Sequence, residues 1–152
     1  GGVSNDGAME GGCRCGQVRF RVTGRPLLTM ACHCTGCQRM TGGAFSLSSA
    51  YPGDRFEVIA GEPAIGGLHG SPRHFHCPHC MSWMFTRLDG PDVVNVRTTM
   101  LDSVPDAPPF VESFTSEALP WARTGARHSF PQFPAMEQFQ PLIAEYAATA
   151  AT

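Results

Sequence analysis

Polar and apolar residues alternate with a period of two where Val18, Phe20 and Val22 are separated by Gln17, Arg19 and Arg21, which predicts a half-buried strand. Further alternating or compact apolar runs predict strands at Ala44–Ser48, Phe56–Ile59, His74–Cys77, Trp83–Thr86, Val93–Val96 and Phe110–Phe114. Turn signals lie between them: Pro52-Gly53-Asp54, Gly66-Gly67, Asp89-Gly90-Pro91 and Pro108-Pro109. Two stretches break the strand pattern. Cys34 to Arg39 shows no alternation and predicts a short helix, and Met136, Phe139, Leu142, Ile143 and Tyr146 recur at helical spacing. Pro141 forbids one uniform helix through the second stretch, so a C-terminal helix is expected to begin near Pro141 and run into the alanines, with Ala147–Thr152 fraying. Gly1 to Ala8 contains little that could pack, and Met9 reads as a natural start. Residues 1–8 are therefore expected to be a disordered or loosely packed leader, and residues 9–152 a single domain.

Composition supports the same class. The 152 residues are 42% hydrophobic, enough for one core, while 17 glycines and 13 prolines keep regular elements short and favour β-structure over a helix bundle. A formal charge of -2 argues against a nucleic-acid partner. No apolar run approaches a membrane span, and no charged segment followed by an apolar one opens the chain, so a cytoplasmic protein is expected.

Seven cysteines carry the candidate chemistry: Cys13-Arg-Cys15, Cys32-His-Cys34-Thr-Gly-Cys37 and Cys77-Pro-His-Cys80. Thiols one residue apart cannot bridge without strain, and an odd total leaves one unpaired, so metal ligation fits better than disulfides. The Cys77 spacing also matches dithiol redox motifs, but no βαβ pattern surrounds it. A Cys-x-Cys pair on extended backbone and a Cys-x-x-Cys turn each offer two converging sulfurs. Cys13, Cys15, Cys77 and Cys80 thus form a closed structural zinc site. Cys32, Cys34 and Cys37 remain as a three-thiolate set with an open fourth position; the other partition borrows one cysteine or recruits a histidine. His33 would point away from the ligands and His79 into solvent, while His69, His74, His76 and His128 lack ligand spacing. Three thiolates on Zn2+ sum to -1, a weak Lewis acid that suits a thiol substrate better than water. Gly16 and Gly36 are expected to let backbone N–H groups approach the sulfurs.

Gly12-Cys13-Arg14-Cys15-Gly16, the run from Cys32 through Phe45, and Phe75-His76-Cys77-Pro78-His79-Cys80 resemble the glutathione-dependent formaldehyde-activating enzyme family, which includes centromere protein V. The resemblance covers roughly Gly12 to Trp121. It implies a β-tent fold of antiparallel sheets with a structural zinc at Cys13, Cys15, Cys77 and Cys80. It also implies a second zinc at Cys32, Cys34 and Cys37, and a carbon–sulfur lyase reaction that joins formaldehyde to glutathione. This chain departs from the family where Met81-Ser82 replaces the usual Gly-Ser after the last cysteine; a position requiring positive φ would strain Met81. Trp121 matches a late tryptophan of the family and is expected as an aromatic plug in the core in preference to a substrate contact.

On this reading Cys32, Cys34 and Cys37 are the catalytic metal ligands, and Gln38, Arg39 and Thr41 line the substrate pocket. Arg39 would meet a glutathione carboxylate. Thr41-Gly42-Gly43 reads as a tight turn rather than a phosphate loop. The partners implied are glutathione or another small thiol and a small aldehyde, with exposed edge strands favouring a homodimer. No Ser/His/Asp set or carboxylate pair stands out as a general base. The alternative reading is a non-catalytic zinc-stapled binding module with both metals structural.

Overall fold

The computed structural model describes residues 7–66 and 70–150. The chain passes through β1 (Ala8–Gly12), β2 (Arg19–Thr23), β3 (Leu28–Cys32), α1 (Thr35–Thr41), β4 (Ser46–Pro52), β5 (Phe56–Ala60), β6 (Ala64–Gly66), β7 (Arg73–His76), β8 (Trp83–Arg87), β9 (Val93–Arg97), β10 (Val111–Ser113), β11 (His128–Ser129) and α2 (Met136–Thr149). It is mainly β with few helices, and every run expected as a strand overlaps one. No helix among the described residues is long and apolar enough to cross a membrane.

Two units, each discontinuous in sequence, make up the fold: Gly1–Pro26 with Ser49–Pro105, and Leu27–Ser48 with Asp106–Thr152. In the first, β2 pairs antiparallel with β1 and with β5, and β6 to β9 form an antiparallel meander. The period-two pattern of β2 works as the sequence requires. Phe20 and Val22 are buried, whereas Arg19 and Arg21 reach outward to Asp102 at 3.1 Å and Glu57 at 3.0 Å. Phe20, Phe56, Phe75 and Phe85 form the aromatic centre, with neighbouring ring centroids 4.7 to 5.5 Å apart. β8 buries Met84, Phe85 and Thr86 in succession, so it has no solvent face and reads as a compact apolar run rather than an alternation.

In the second unit β10 lies between β3 and β11 and runs parallel to both. This parallel ladder adds to the antiparallel sheets expected from the sequence. Its core is Leu28, Phe110, Val111 and Leu142, packed with Met30, Phe130, Phe139 and Tyr146.

Four expectations are corrected. Residues 1–6 of the expected leader lie outside the described residues, but Ala8 is buried and opens β1, and the Gly7 carbonyl accepts the Gly24 N–H at 3.0 Å. The C-terminal helix begins at Met136, not near Pro141. An interior proline costs about 3 kcal/mol, yet here the turn before it is held at both ends. The Ala135 N–H donates to Gln138 Oε1 at 2.8 Å, and Phe139 packs on Phe133 with centroids 5.4 Å apart. The helix continues to Thr149, so the expected fraying at Ala147 is absent as far as the described residues reach; 151 and 152 lie beyond them. Trp121 is 77% exposed and is no core plug.

Candidate metal centres

Each unit contains one cysteine cluster. In the first, Cys13, Cys15, Cys77 and Cys80 bring four sulfurs within 4.8 Å of one another. Cys13 and Cys15 do not sit on extended strand as expected. They lie in the turn after β1, closed by Gly16 N–H to the Cys13 carbonyl at 3.1 Å with Gly16 at φ 82. That turn brings their sulfurs to 3.6 Å, and Cys15 Sγ is 3.8 Å from Cys77 Sγ. The second arm is a knuckle in which Met81 N–H donates to the Cys77 carbonyl at 2.9 Å. Met81 adopts φ 67, so the chain keeps the left-handed turn without the glycine that makes it inexpensive.

The sulfurs are solvated by backbone N–H groups. Val18 donates to Cys13 Sγ at 3.3 Å, and His79 and Cys80 each donate to Cys77 Sγ at 3.4 Å. The Ser82 hydroxyl lies 3.3 Å from Cys80 Sγ and holds that thiol down at about 5. Ser82 also accepts the Arg14 N–H at 3.1 Å, tying the two arms together. His79 is exposed, as expected.

In the second unit, Cys32, Cys34 and Cys37 also lie within 4.8 Å of one another, all half-buried. Among the described residues no fourth histidine, cysteine or carboxylate completes the set; His69 lies outside them. Cys32 ends β3. Cys34 then caps α1 at φ -63, ψ 152, with Sγ accepting the Cys37 N–H at 3.3 Å. Gly42 closes the other end at φ 65, its N–H reaching the Gln38 carbonyl. Seven residues of helix thus bring the Cys-x-x-Cys sulfurs together.

These thiols do not titrate alike. Cys32 is pushed far above the usual thiol range, first by its hydrogen bond to Cys37 and then by burial, and burial raises Cys34. Cys37 is held low, chiefly by the bond from Cys32. The hydrogen bond from Cys32 favours the thiolate of Cys37, and the repulsion between neighbouring sulfur anions works against a second charge beside it. A soft dication among them removes that repulsion, so both donor sets fit zinc. All seven thiols are free, so the disulfide reading fails.

The three expected pocket residues all lie on α1. Gln38 is half-buried, and its Nε2 donates to the His33 carbonyl at 2.7 Å and the Glu117 carbonyl at 3.0 Å. Thr41 Oγ1 donates back to the Cys37 carbonyl at 2.8 Å and accepts the Gly43 N–H at 3.1 Å, which makes the expected tight turn. Arg39 is exposed on α1.

His33 is buried and turned to a carboxylate, with Nε2 2.8 Å from Glu112 Oε1. Glu117 Oε1 accepts the Thr35 N–H at 2.8 Å, satisfying the first turn of α1. Sequence reasoning missed both glutamates. Neither has a spacing to the cysteines that marks it, and each arrives through folding from about 80 positions away.

The sequence model of the glutathione-dependent formaldehyde-activating enzymes matches residues 8–117. A Halomonas elongata protein whose name gives it, provisionally, as such an enzyme is 30% identical over 111 residues, covering 66% of this chain and 70% of its own. A Rhodobacter sphaeroides protein of known crystal structure aligns with a TM-score of 0.55 and 20% identity, covering 64% of this chain and 92% of that one. At that identity the likeness concerns the fold alone. With a match spanning both cysteine clusters and most of the strands, the chain belongs to the glutathione-dependent formaldehyde-activating enzyme family.

Proposed function

We propose that this protein is a zinc-dependent carbon–sulfur lyase that joins glutathione to formaldehyde or another small aldehyde at the Cys32, Cys34 and Cys37 centre. The observation that carries the proposal is the trio itself: three converging sulfurs with no fourth protein donor among the described residues. A zinc ion held there supplies one further coordination position and a positive charge that favours a substrate thiol as thiolate near neutral pH. For formaldehyde, the glutathione sulfur forms a bond to the carbonyl carbon and the thiol proton ends on the former carbonyl oxygen. The product is S-hydroxymethylglutathione, and no oxidant is consumed.

The chain's own residues have distinct tasks in this scheme. Cys32, Cys34 and Cys37 hold the ion, and their combined charge disfavours activation of water. The Cys37 N–H on Cys34 Sγ draws off part of that charge. Arg39, exposed two residues beyond the last ligand, suits a glutathione carboxylate. Cys13, Cys15, Cys77 and Cys80 hold a second zinc that clamps the fold. Seven free thiols and a glutathione substrate suit a cytoplasmic setting.

One observation favours the non-catalytic reading, in which both metals are structural: Gln38 and Thr41 spend their polar groups on internal hydrogen bonds. Cobalt substitution decides between the two. Glutathione is expected to shift the cobalt bands, with the shift lost in Cys34→Ser and kept in Arg14→Ala. No shift with any thiol refutes the open site and leaves the binding module. Adduct formation no faster than the spontaneous reaction removes the formaldehyde–glutathione pair.

A further inference from the structure

The family match ends at Glu117, yet the chain beyond it reaches the back of the three-cysteine loop. Glu112 sits at the centre of β10, directly opposite Ala31 of β3 on one side and Ser129 of β11 on the other. Its side chain is 3% exposed, and both oxygens are engaged. Oε1 accepts from His33 Nε2 at 2.8 Å and from Thr124 Oγ1 at 3.1 Å, while Oε2 accepts from Ser129 Oγ at 2.7 Å. A buried carboxylate without such donors would neutralise. Here burial pushes the group up, and the bonds from Ser129, His33 and Thr124 more than reverse it, leaving it below the ordinary range.

His33 is the residue this carboxylate grips, and it lies between two of the three ligands. Its ring is fully buried against Phe45, with centroids 5.2 Å apart. Its N–H donates to the Ser113 carbonyl at 3.0 Å, and its carbonyl accepts from Gln38 Nε2 at 2.7 Å. Side chain and both flanking peptide groups are therefore fixed, which sets where Cys32 and Cys34 aim their sulfurs. A four-ligand site can tolerate a wandering ligand better than a three-ligand site, because the other three still define the tetrahedron.

We propose that Glu112 is a positioning residue for the three-cysteine metal centre, oriented by Thr124 and Ser129, so that the segment beyond the family match tunes metal retention at Cys32, Cys34 and Cys37. The inference rests on that trio holding zinc and not on the identity of the substrate. Glu112→Gln keeps the shape but places an amide N–H₂ against a donor on one side. Thr124→Val and Ser129→Ala each remove a single hydroxyl.

The test uses the full chain loaded with zinc or cobalt, with chelator competition reading each centre's affinity and the cobalt bands reporting geometry. Cys34→Ser identifies which signal belongs to the trio. Glu112→Gln is expected to weaken metal binding at the trio by about 10- to 100-fold and to shift its cobalt bands, with the four-cysteine centre unchanged. The hydroxyl variants should produce smaller losses in the same direction, and Thr124→Ser should restore affinity. A lowered melting temperature with unchanged trio affinity and spectrum would make Glu112 a fold residue only and overturn the proposal. If Glu112→Gln does not fold, the hydroxyl variants decide, and unchanged affinity in both overturns it. If the unmodified protein binds no metal at the trio, the functional reading fails, and this inference with it; failure of glutathione to bind leaves it standing.

Discussion

Cys77→Ser/Cys80→Ser, which removes the whole second arm of the four-cysteine centre, should destabilise this protein far more than Cys32→Ser/Cys34→Ser, although each removes two sulfurs from a metal centre. The four-cysteine centre joins Cys15 to Cys77 across 62 positions of sequence, with their sulfurs 3.8 Å apart. Treated as a cross-link, closure of that loop in the unfolded chain is worth about 4 kcal/mol. That is a large fraction of the roughly 5–15 kcal/mol that holds a domain folded. The trio lies within one short stretch whose ends β3 and the α1 cap already hold, so its closure adds little. With about 2–4 °C per kcal/mol for a chain of this size, Cys77→Ser/Cys80→Ser should lower the melting temperature by about 8–16 °C, and Cys32→Ser/Cys34→Ser by only a few degrees. Thermal denaturation of the zinc-loaded proteins under reducing conditions, with metal content measured beforehand, provides the comparison. Equal shifts for the two variants, or a loss below about 4 °C for Cys77→Ser/Cys80→Ser, would refute the division of labour between the clusters.

Other consequences can be measured separately. Met81→Gly relieves left-handed strain worth about 1–2 kcal/mol against a glycine entropy cost of about 0.5–1 kcal/mol. Because Met81 is 68% exposed, little packing is lost, and denaturant unfolding should show unchanged to slightly raised stability; a loss above about 1 kcal/mol contradicts the strain argument. The ion pair with Arg19 holds the Asp102 carboxyl below its usual range, so its contribution is present above the unfolded value of about 4 and is lost as pH falls through the lower folded value. The stability difference between the unmodified protein and Asp102→Asn should therefore shrink on acidification below about pH 4; acid loss of metal affects both and cancels, and a difference that grows would reverse the assignment. Arg39→Ala should weaken glutathione binding several-fold by calorimetry while leaving metal content unchanged. Equal affinity in that variant removes Arg39 from substrate binding.

Much of this was legible because it is local. Cys-x-x-Cys reports a turn within four residues, and Val18, Phe20 and Val22 report a strand face without reference to the rest of the chain. The elements that went unread lack local pattern. β1 is Ala-Met-Glu-Gly-Gly and β3 is Leu-Thr-Met-Ala-Cys, and neither alternates cleanly. Pro141 is a strong local signal that misleads, since contacts of Phe139 with Phe133 and of Tyr146 with Phe110 outweigh its cost. Trp121 shows the converse: a large aromatic with no local mark of exposure remains 77% in solvent.

The amino-acid order alone determined the chemistry available: seven thiols in three short-range groups, a mainly β chain, and a partition into four and three, because ligand type and near-neighbour spacing are properties of the covalent chain. Tertiary structure decided what surrounds those thiols. Glu112 is an unremarkable strand glutamate in the sequence, and only the parallel register of β10 on β3 places it behind His33 with Thr124 and Ser129 as donors. Gln38 likewise carries no local sign of the Glu117 carbonyl that the fold brings to its amide. The reason is the range of the interaction: a sulfur's reach to its neighbour two or three residues away is set by bond geometry, whereas a buried carboxylate's partners are chosen by the packing of segments far apart in the chain.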